Sequence, residues 1–374
     1  MTQRERMEAV FRGERPEVMP WFGDLTYWHQ AHGLTGDLPE RWRGFEGLLA
    51  MHRELNVGAY VPGCTGGETI EGDDVRREVA EDGPRRVTRW VTPVGTVREI
   101  QEYCPDSFSW GYTEHAVKTA ADLRVVRHIY ERRRFEPHPE RYPATDRQYA
   151  AWGSGPTHIG APATPLSELN KHWVGVMELA YLMMDEPGEM ARTLEAIARF
   201  YDEVYRHIAA GPRCFAMINE NLSATTMGGY FDEHIAPHLR RWTGWLREAG
   251  HVSMIHNDGT LRGTLEKLAD AGVDAIDSVV PEPVGDVAIA ELRAMAGERV
   301  ILIGGLPGAM FAPPFTAQDI ERQVREIARA HKEEGRFIFG VADQVPPNGD
   351  LELVRLVGEL VEELGGHCSG SAED

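Results

Sequence analysis

The feature of this sequence that most constrains its fold is a repeated unit, in which a short apolar segment is followed by a polar turn and an amphipathic helix. The segments that predict strands are residues 18–24, 57–62, 148–153, 214–220, 251–257, 274–279, 300–306 and 337–342. They are continuous apolar runs, which are typical of parallel strands covered on both faces. Eight strand–helix units predict an α/β fold of the (β/α)8 TIM-barrel type. An open doubly wound sheet is the alternative, but no G-x-G-x-x-G or Walker loop follows a strand.

The length of 374 residues fits a single barrel domain, which we expect over residues 1–366, with a flexible tail at 367–374. An insertion at about residues 65–118 follows the second strand. Within it, Asp82-Gly83 and Pro93-Val94-Gly95 are turn signals between β-rich runs. This pattern predicts a β-hairpin insertion over the mouth of the barrel.

The chain is acidic, with a formal net charge of -20. Such a surface repels phosphate backbones and anionic lipids, so we expect neither a nucleic acid nor a membrane as partner. No apolar run reaches the length of about 18 residues that a transmembrane helix needs. The first residues lack the apolar core of a secretory signal, and the four cysteines are widely spaced. A cytoplasmic protein is expected.

Polar and aromatic side chains at the ends of the predicted strands are the candidate site residues, because the carboxyl ends of barrel strands face the active site. They are Asp24, Tyr27, Trp28, Cys64, Trp152, Asn219, Glu220, Asn221, His256, Asp258 and Asp343. Asp24, Tyr27 and Trp28 could form a substrate wall or could pack against the core. Cys64 could be a nucleophile, but no partner base is evident, and a buried unreactive thiol is the alternative.

Four of these residues could converge on a divalent metal ion. Glu220, His256, Asp258 and Asp343 follow three different strands and offer imidazole and carboxylate ligands. Such ligands suit zinc, and a three-ligand site leaves one position for substrate. The alternative is that Glu220 and Asp258 only cap helices or pair with arginines.

Several segments of the chain resemble the uroporphyrinogen decarboxylase superfamily. They are RERMEAVFRGERPEVMPW near the amino terminus, TPVGT at 92–96, the long segment at 255–286 that begins IHNDGT, and the late segments LIGGLP and VADQVPPNGDLELV. The resemblance covers nearly the whole chain and implies a (β/α)8 barrel. Its motifs are specific to the superfamily but not to one reaction.

The resemblance favours the methyltransferase branch of this superfamily over the true decarboxylases. The decarboxylases have an R-Q-A-G-R segment after the first strand that holds tetrapyrrole carboxylates, and residues 29–33 read HQAHG here, without arginine. The decarboxylase G-H-G signature near the last strand is also absent, since Ala342-Asp343-Gln344 stands there. An anionic substrate would lose its bidentate arginine partners.

The resemblance to corrinoid-linked methyltransferases implies a zinc-assisted methyl transfer. The thiol-directed members use H-x-C and a later cysteine, where this chain has His256, Asp258 and Asp343. Members that resemble aryl-ether demethylases use two glutamates before the histidine; Glu220 fits the first, and the second would fall near Ile235. The resemblance therefore implies catalytic and metal-binding roles for His256 and its carboxylate neighbours, with an ether- or amine-type methyl donor.

The remaining strand-end residues would hold the substrate in this hypothesis. Asp24, Asn219 and Asn221 would orient it, and the aromatic side chains and Cys64 would line its pocket. No D-x-H-x-x-G motif is present, so the corrinoid would come on a separate protein. A homodimer is a possible assembly. The alternatives are a metal-independent, decarboxylase-like lyase that acts on a small carboxylic acid, and a non-catalytic scaffold barrel.

Overall fold

The computed structural model describes residues 1–59, 63–151, 153, 155–223, 228–257 and 259–366. Fourteen strands lie within these residues: β1 Trp21–Gly23, β2 Gly58–Ala59, β3 Gly67–Ile70, β4 Arg76–Asp82, β5 Arg85–Thr92, β6 Gly95–Cys104, β7 Ser109–Glu114, β8 Arg134–Pro137, β9 His158–Ala161, β10 Phe215–Ile218, β11 Val252–His256, β12 Ala275–Val279, β13 Ile301–Pro307 and β14 Phe337–Ala342. Six of them belong to an excursion between the second and third barrel strands.

Thirteen α-helices lie within the same residues, besides short 3-10 and π turns. They are α1 Gln3–Phe11, α2 Thr26–Thr35, α3 Gly44–Glu54, α4 Ala120–Arg132, α5 Arg141–Ala151, α6 Pro165–Glu168, α7 Val176–Asp185, α8 Pro187–Ala210, α9 Ala236–Glu248, α10 Leu265–Asp270, α11 Leu292–Ala296, α12 Ala317–His331 and α13 Leu351–Gly366. No helix of the described ranges is long and apolar enough to cross a membrane.

Eight parallel strands form the barrel sheet, in the order β2-β1-β14-β13-β12-β11-β10-β9. The segment after β2 meets β9 at the other edge through a parallel bridge between Cys64 and Ile159. In that bridge Cys64 N donates to the His158 carbonyl, and Gly160 N donates to the Cys64 carbonyl. The predicted TIM barrel is confirmed, and Cys64 contributes its backbone to the closure of the ring.

The third barrel strand is not where the sequence pattern placed it. Residues 148–151 belong to helix α5, and the strand is β9, which begins at His158. The apolar run that contains Tyr149 is the last turn of a helix, and Tyr149 packs against Phe45 of α3 at a ring distance of 5.5 Å. A short apolar run is compatible with either structure, so periodicity could not decide between them.

The excursion after β2 is a four-stranded antiparallel sheet, β4-β5-β6-β7, rather than a single hairpin. It packs against the barrel's helices through Trp90 of β5, whose ring lies 4.8 Å from that of Trp173. The turn between β6 and β7 reaches the first barrel loop, because Tyr27 Oη donates to the Ser107 carbonyl at 3.0 Å. The insertion therefore reaches the carboxyl side of the barrel, as the sequence predicts.

The interior of the barrel is an apolar core that helix α1 closes at the amino-terminal end. Buried side chains of six strands pack there with Met7 and Val10 of α1; they are Phe22, Met217, Met254, Ala275, Ile301, Ile303 and Ile338. Alternation along each strand directs these side chains inward. Polar residues one or two positions further along the strands therefore lie above a dry floor.

Candidate active site

A cavity of about 190 Å³ lies on the barrel axis above the apolar interior. We call it the axial pocket. Its polar lining residues are Asp24, His158, Asn219, His256, Asp277 and Asp343. The rest of its lining consists of glycines and apolar residues, which are Phe22, Met217, Ile303 and Val341. The pocket combines two imidazoles and three carboxylates in the position where TIM barrels have their active sites.

His256 is the central side chain of this pocket. It is the last residue of β11, and its Nδ1 lies 3.1 Å from Asp277 Oδ2 on the neighbouring strand β12. Its Nε2 lies 3.8 Å from Asp343 Oδ1, at the end of β14. A carboxylate only accepts hydrogen bonds, so the contact with Asp277 places a proton on Nδ1. Nε2 is left facing the cavity and Asp343, where it can exchange a proton with a bound molecule.

Asp24 lies on the opposite wall and is held by its own loop. Its Oδ1 accepts hydrogen bonds from the backbone N and the hydroxyl of Thr26, at 2.7 and 2.5 Å. Its Oδ2 accepts a hydrogen bond from Gln344 Nε2 at 2.9 Å. Burial raises the pKa of Asp24, and the hydrogen bonds from Gln344 and Thr26 oppose that shift.

His158 is a pocket residue that sequence reasoning missed. It is the first residue of β9, and burial lowers its pKa, so the ring is neutral near pH 7. The loop after β2 covers this ring at Gly63, where an added Cβ would lie 2.5 Å from His158 Nε2. Asp277, the partner of His256, was also not singled out as a site residue. His158 lies at the amino end of β9, so a search of the carboxyl ends of strands does not select it even when the strand is placed correctly.

Glu220 lies outside the axial pocket, although its neighbour Asn219 lines it. The Glu220 carboxylate accepts hydrogen bonds from the backbone N of Thr164 and from Ser167, at the start of α6. Its side chain is almost fully buried there, and burial raises its pKa. Glu220 N donates to the Ile218 carbonyl at 2.8 Å, so the chain turns directly after β10; Asn219 lines the pocket while Glu220 lies against α6.

The other predicted residues are spread over several environments. Trp28 is buried, and its ring stacks on His32 at 3.8 Å and donates to the Gly349 carbonyl. It therefore packs in the core rather than forming a substrate wall. Cys64 is half-buried against the core, and burial raises the pKa of its thiol. Asn221 is exposed. Trp152 and Asp258 lie outside the described residues.

A second, larger cavity of about 650 Å³ opens beside the axial pocket, and we call it the mouth cleft. Asp343 lines both cavities and therefore marks their junction. The cleft is lined by Tyr27, by the apolar residues Val280, Val284, Pro307, Ala309 and Pro346, and by several glycines. Concave apolar surface with a few polar groups is the usual character of a small-molecule site.

The predicted zinc ligands do not come together within the described part of the chain. No group of three or more His, Cys, Asp or Glu side chains there is arranged to hold a metal ion. His256 and Asp343 are neighbours, Glu220 turns toward α6, and Asp258 is not among the described residues. The described residues alone therefore do not fit a zinc site of three or four ligands.

Comparison with known families decides the relationship of the chain. The sequence pattern of the uroporphyrinogen decarboxylase (URO-D) family matches residues 157–364, which is more than half of the chain. The chain belongs to the uroporphyrinogen decarboxylase family. The match begins just before β9 and extends into α13, so it includes five of the six polar residues of the axial pocket.

Individual relatives are distant. Uroporphyrinogen decarboxylases from two strains of Thermus thermophilus are each 27% identical to this chain over 177 residues, which is 47% of this chain and 48% of theirs. The chain thus aligns with about half the length of these curated relatives. A methyltransferase from Methanosarcina mazei has a similar structure, with a TM-score of 0.56, 16% identity, and coverage of 97% of this chain and 99% of the other. At that identity the likeness supports the fold alone.

Proposed function

We propose that this chain transfers a methyl group between a small methylated substrate, of the ether or amine type, and a corrinoid bound to a separate protein. The observation that supports this proposal most directly is the composition of the two cavities. They bring a histidine and several carboxylates together, and no arginine or lysine occurs among their described lining residues. A pocket of this kind can transfer protons to and from a small substrate that is uncharged or cationic.

The same observation speaks against the decarboxylation of a carboxylic acid, whether a tetrapyrrole or a smaller molecule. A carboxylate substrate needs cationic or strong hydrogen-bonding partners, and arginine is the residue that binds carboxylates bidentately. Asp24, Asp277 and Asp343 would instead repel it. The metal-independent lyase is therefore the weaker candidate.

For an ether-type donor, His256 would act as the acid. The carbon–oxygen bond breaks and its electron pair remains on the oxygen. In the doubly protonated imidazolium form of His256, Nδ1 donates to Asp277 and Nε2 supplies the proton that this oxygen takes up, which leaves a neutral ring. Asp277 would hold the ring so that Nε2 faces the substrate. The corrinoid, as the second substrate, supplies the nucleophile that accepts the methyl group.

The zinc that the sequence predicts stays part of the hypothesis as a Lewis acid near His256. Its test is elemental analysis of protein purified without chelator or metal-affinity resin, repeated on His256→Ala. About one zinc per chain that is lost in the variant would support the zinc prediction. Wild-type protein that takes up no zinc, even when zinc is supplied, would contradict it.

Methyl transfer itself is tested with chemically reduced cobalamin and a panel of methyl ethers and methylated amines, followed by the absorbance change that accompanies methylation of the cobalamin. Wild-type protein should accelerate the reaction with at least one donor, and if that donor is an ether, His256→Ala should lower the rate by about 10²-fold or more. Asp232→Asn, an exposed carboxylate paired with Lys267, is the matched control. Carbon dioxide release from a small acid, with no methyl transfer, would support the lyase instead.

A further inference from the structure

The axial pocket and the mouth cleft form one continuous, two-part site. Asp343 lines both, and its side chain is 52% exposed between them. The inner part measures about 190 Å³ and the outer part about 650 Å³. Small-molecule sites usually measure about 300–1,000 Å³. The inner part alone is too small for such a ligand, so a molecule that fills the site has a small head and a larger body.

The charge of the inner part fits a cationic head. Asp24, Asp277 and Asp343 surround it, and Asp286 adds a carboxylate to the lining of the outer part. Two cations lie near the site, and both have partners. Lys171 Nζ donates to the Asn219 carbonyl at 2.7 Å, and Arg262 lies 3.2 Å from Glu291. The carboxylates of the inner part are therefore not neutralised by a lysine or arginine among its described lining residues.

The apolar floor indicates what kind of cation fits. Phe22, Met217 and Ile303 lie directly beneath the carboxylates, and all three belong to the dry interior of the barrel. A hydrated metal ion would lose water ligands against such a floor without replacement. An ammonium group with methyl substituents has the opposite character, because it presents apolar carbon while it is charged. The Phe22 ring can also attract such a cation.

We propose that the methyl donor of this site is a methylated ammonium compound with an apolar body. Its ammonium head lies in the axial pocket among Asp24, Asp277 and Asp343, and its body lies in the mouth cleft against Val280, Val284 and Ala309. This inference rests on the proposed function and narrows its donor class. The apolar body extends outward because the cleft opens from the pocket at Asp343.

Methyl transfer from such a donor balances without an external proton. The carbon–nitrogen bond breaks, and its electron pair stays on the nitrogen, which leaves as a neutral amine. The methyl group bonds to the cobalt of a reduced corrinoid, whose electron pair forms the new bond, so the metal is formally oxidised by two electrons. The positive charge passes from the nitrogen to the corrinoid. His256 is not required as an acid in this reaction, in contrast to an ether donor.

The test measures binding by calorimetry with the full chain and no corrinoid, using pairs of probes that differ in one property. Choline and 3,3-dimethylbutan-1-ol have the same shape and differ in charge. Benzyltrimethylammonium and tetramethylammonium have the same head and differ in the apolar body. Choline should bind at least about tenfold more tightly than its neutral isostere, and the benzyl group should add about tenfold or more.

Two variants separate the two parts of the site. Asp343→Asn, at a half-exposed position, should weaken the binding of all three ammonium probes by about tenfold, while Asp232→Asn should change none of them. Ala309→Trp, at an exposed position in the lining of the cleft, should abolish the gain from the benzyl group and leave tetramethylammonium binding unchanged. Unfolding temperatures of the variants are measured alongside, so that loss of folded protein is not mistaken for loss of binding.

The inference is overturned if the neutral isostere binds as tightly as choline, if Asp343→Asn leaves the affinities of the ammonium probes unchanged, or if benzoate binds more tightly than benzyltrimethylammonium. These binding results do not depend on whether the protein transfers a methyl group. Methyl transfer from an ether, with no binding of ammonium probes, would contradict this inference and still support the proposed function. Ammonium binding without methyl transfer from any donor would contradict the proposed function, and the site would then bind an ammonium compound that is not a methyl donor.

Discussion

At the scale of single residues, the orientation of His256 depends on Asp277. The Asp277 side chain is only 10% exposed and accepts from Nδ1, and Asp343 lies on the other side of the ring at 3.8 Å. A carboxylate behind a catalytic imidazole fixes its tautomer and stabilises the charge that develops during proton transfer. In this arrangement Asp277 is a positioning residue and His256 the residue that meets substrate.

We therefore predict that Asp277→Asn lowers the rate of methyl transfer from an ether donor by about 10²-fold or more. The amide is isosteric, so the fold should be retained, but the negative charge behind Nδ1 is lost. The measurement is kcat with reduced cobalamin, with Asp232→Asn as the exposed control. A rate within twofold of wild type would show that Asp277 does not support His256.

Asp24 gives a prediction about stability and pH. Burial raises its pKa in the folded protein, so the folded state holds this proton more tightly than the unfolded state does. The associated stability is fully present below the unfolded pKa and is lost as the pH rises through the folded pKa. Asp24→Asn cannot ionise and escapes this loss.

The difference in unfolding temperature, Asp24→Asn minus wild type, should accordingly increase from pH 4 to pH 8. Thermal unfolding followed by circular dichroism over this range is the measurement. The Asn side chain can still accept from Thr26, but Gln344 must reverse its amide to remain bonded. A constant offset between variant and wild type at all pH values would indicate that only these hydrogen bonds matter, and that Asp24 does not titrate as proposed.

At the scale of elements, the closure of the barrel and the candidate site are coupled at one contact. The segment after β2 pairs with β9 through Cys64 and Ile159, and Gly63 covers the His158 ring. A Cβ on Gly63 would lie 2.5 Å from the ring and 2.8 Å from the His158 carbonyl oxygen. The backbone must approach this closely for the ring of strands to close, so the position requires glycine.

Gly63→Ala should destabilise the protein by about 1–3 kcal/mol, because the overlap forces the loop or His158 to move. The control is Gly244→Ala in helix α9, where an added Cβ meets nothing within 4 Å. That substitution should instead stabilise by about 0.5–1 kcal/mol, because alanine loses less entropy in a helix. Chemical denaturation of both variants measures the difference. Equal effects of the two substitutions would mean that the contact at Gly63 is not restrictive.

The elements also explain which parts of this structure were predictable from the sequence. Seven of the eight barrel strands were placed correctly to within a few residues, because their apolar runs are bounded by clear turns. The run predicted as a strand at 148–153 is similar, but its residues 148–151 end helix α5, where Tyr149 packs against Phe45. His158 was missed for a second reason, because the strand-end rule selects residues at carboxyl ends and His158 is the first residue of β9.

Glu220 shows a second way in which the strand-end rule fails. The rule selects residues near the carboxyl end of a strand, but the chain can turn as soon as the strand ends, as it does where Glu220 N donates to the Ile218 carbonyl. Asn219 faces the axial pocket and Glu220 faces Thr164 and Ser167. The sequence contains no signal for this difference, because both residues are polar and both follow the apolar run of β10. The same rule selects His256, Asp24 and Asp343, whose side chains do line the axial pocket.

At the scale of the whole molecule, the candidate site at the carboxyl end of the barrel depends on helix α1, which closes the amino-terminal end. Helix α1 inserts Met7 and Val10 into the interior cluster that also contains Phe22, Met217 and Ile303, the floor of the axial pocket. Ion pairs link α1 to distant parts of the chain, from Arg6 to Glu362 at 2.5 Å and from Arg4 to Asp146 at 2.7 Å. One continuous apolar column thus connects the amino-terminal helix with the candidate active site.

Met7→Ala should therefore destabilise the protein by about 2–5 kcal/mol, because it leaves a cavity in this column that close-packed neighbours cannot fill. Met177→Ala is the matched control: it is the same substitution in helix α7, at a side chain that is 63% exposed, and should change stability by less than about 0.5 kcal/mol. Because Met7 shares its cluster with the pocket floor, its loss should also weaken ligand binding at the far end of the barrel, which Met177→Ala should not. Unfolding free energies and probe affinities of the two variants test both expectations. A Met7→Ala protein as stable as Met177→Ala would mean that α1 covers the barrel without packing into it.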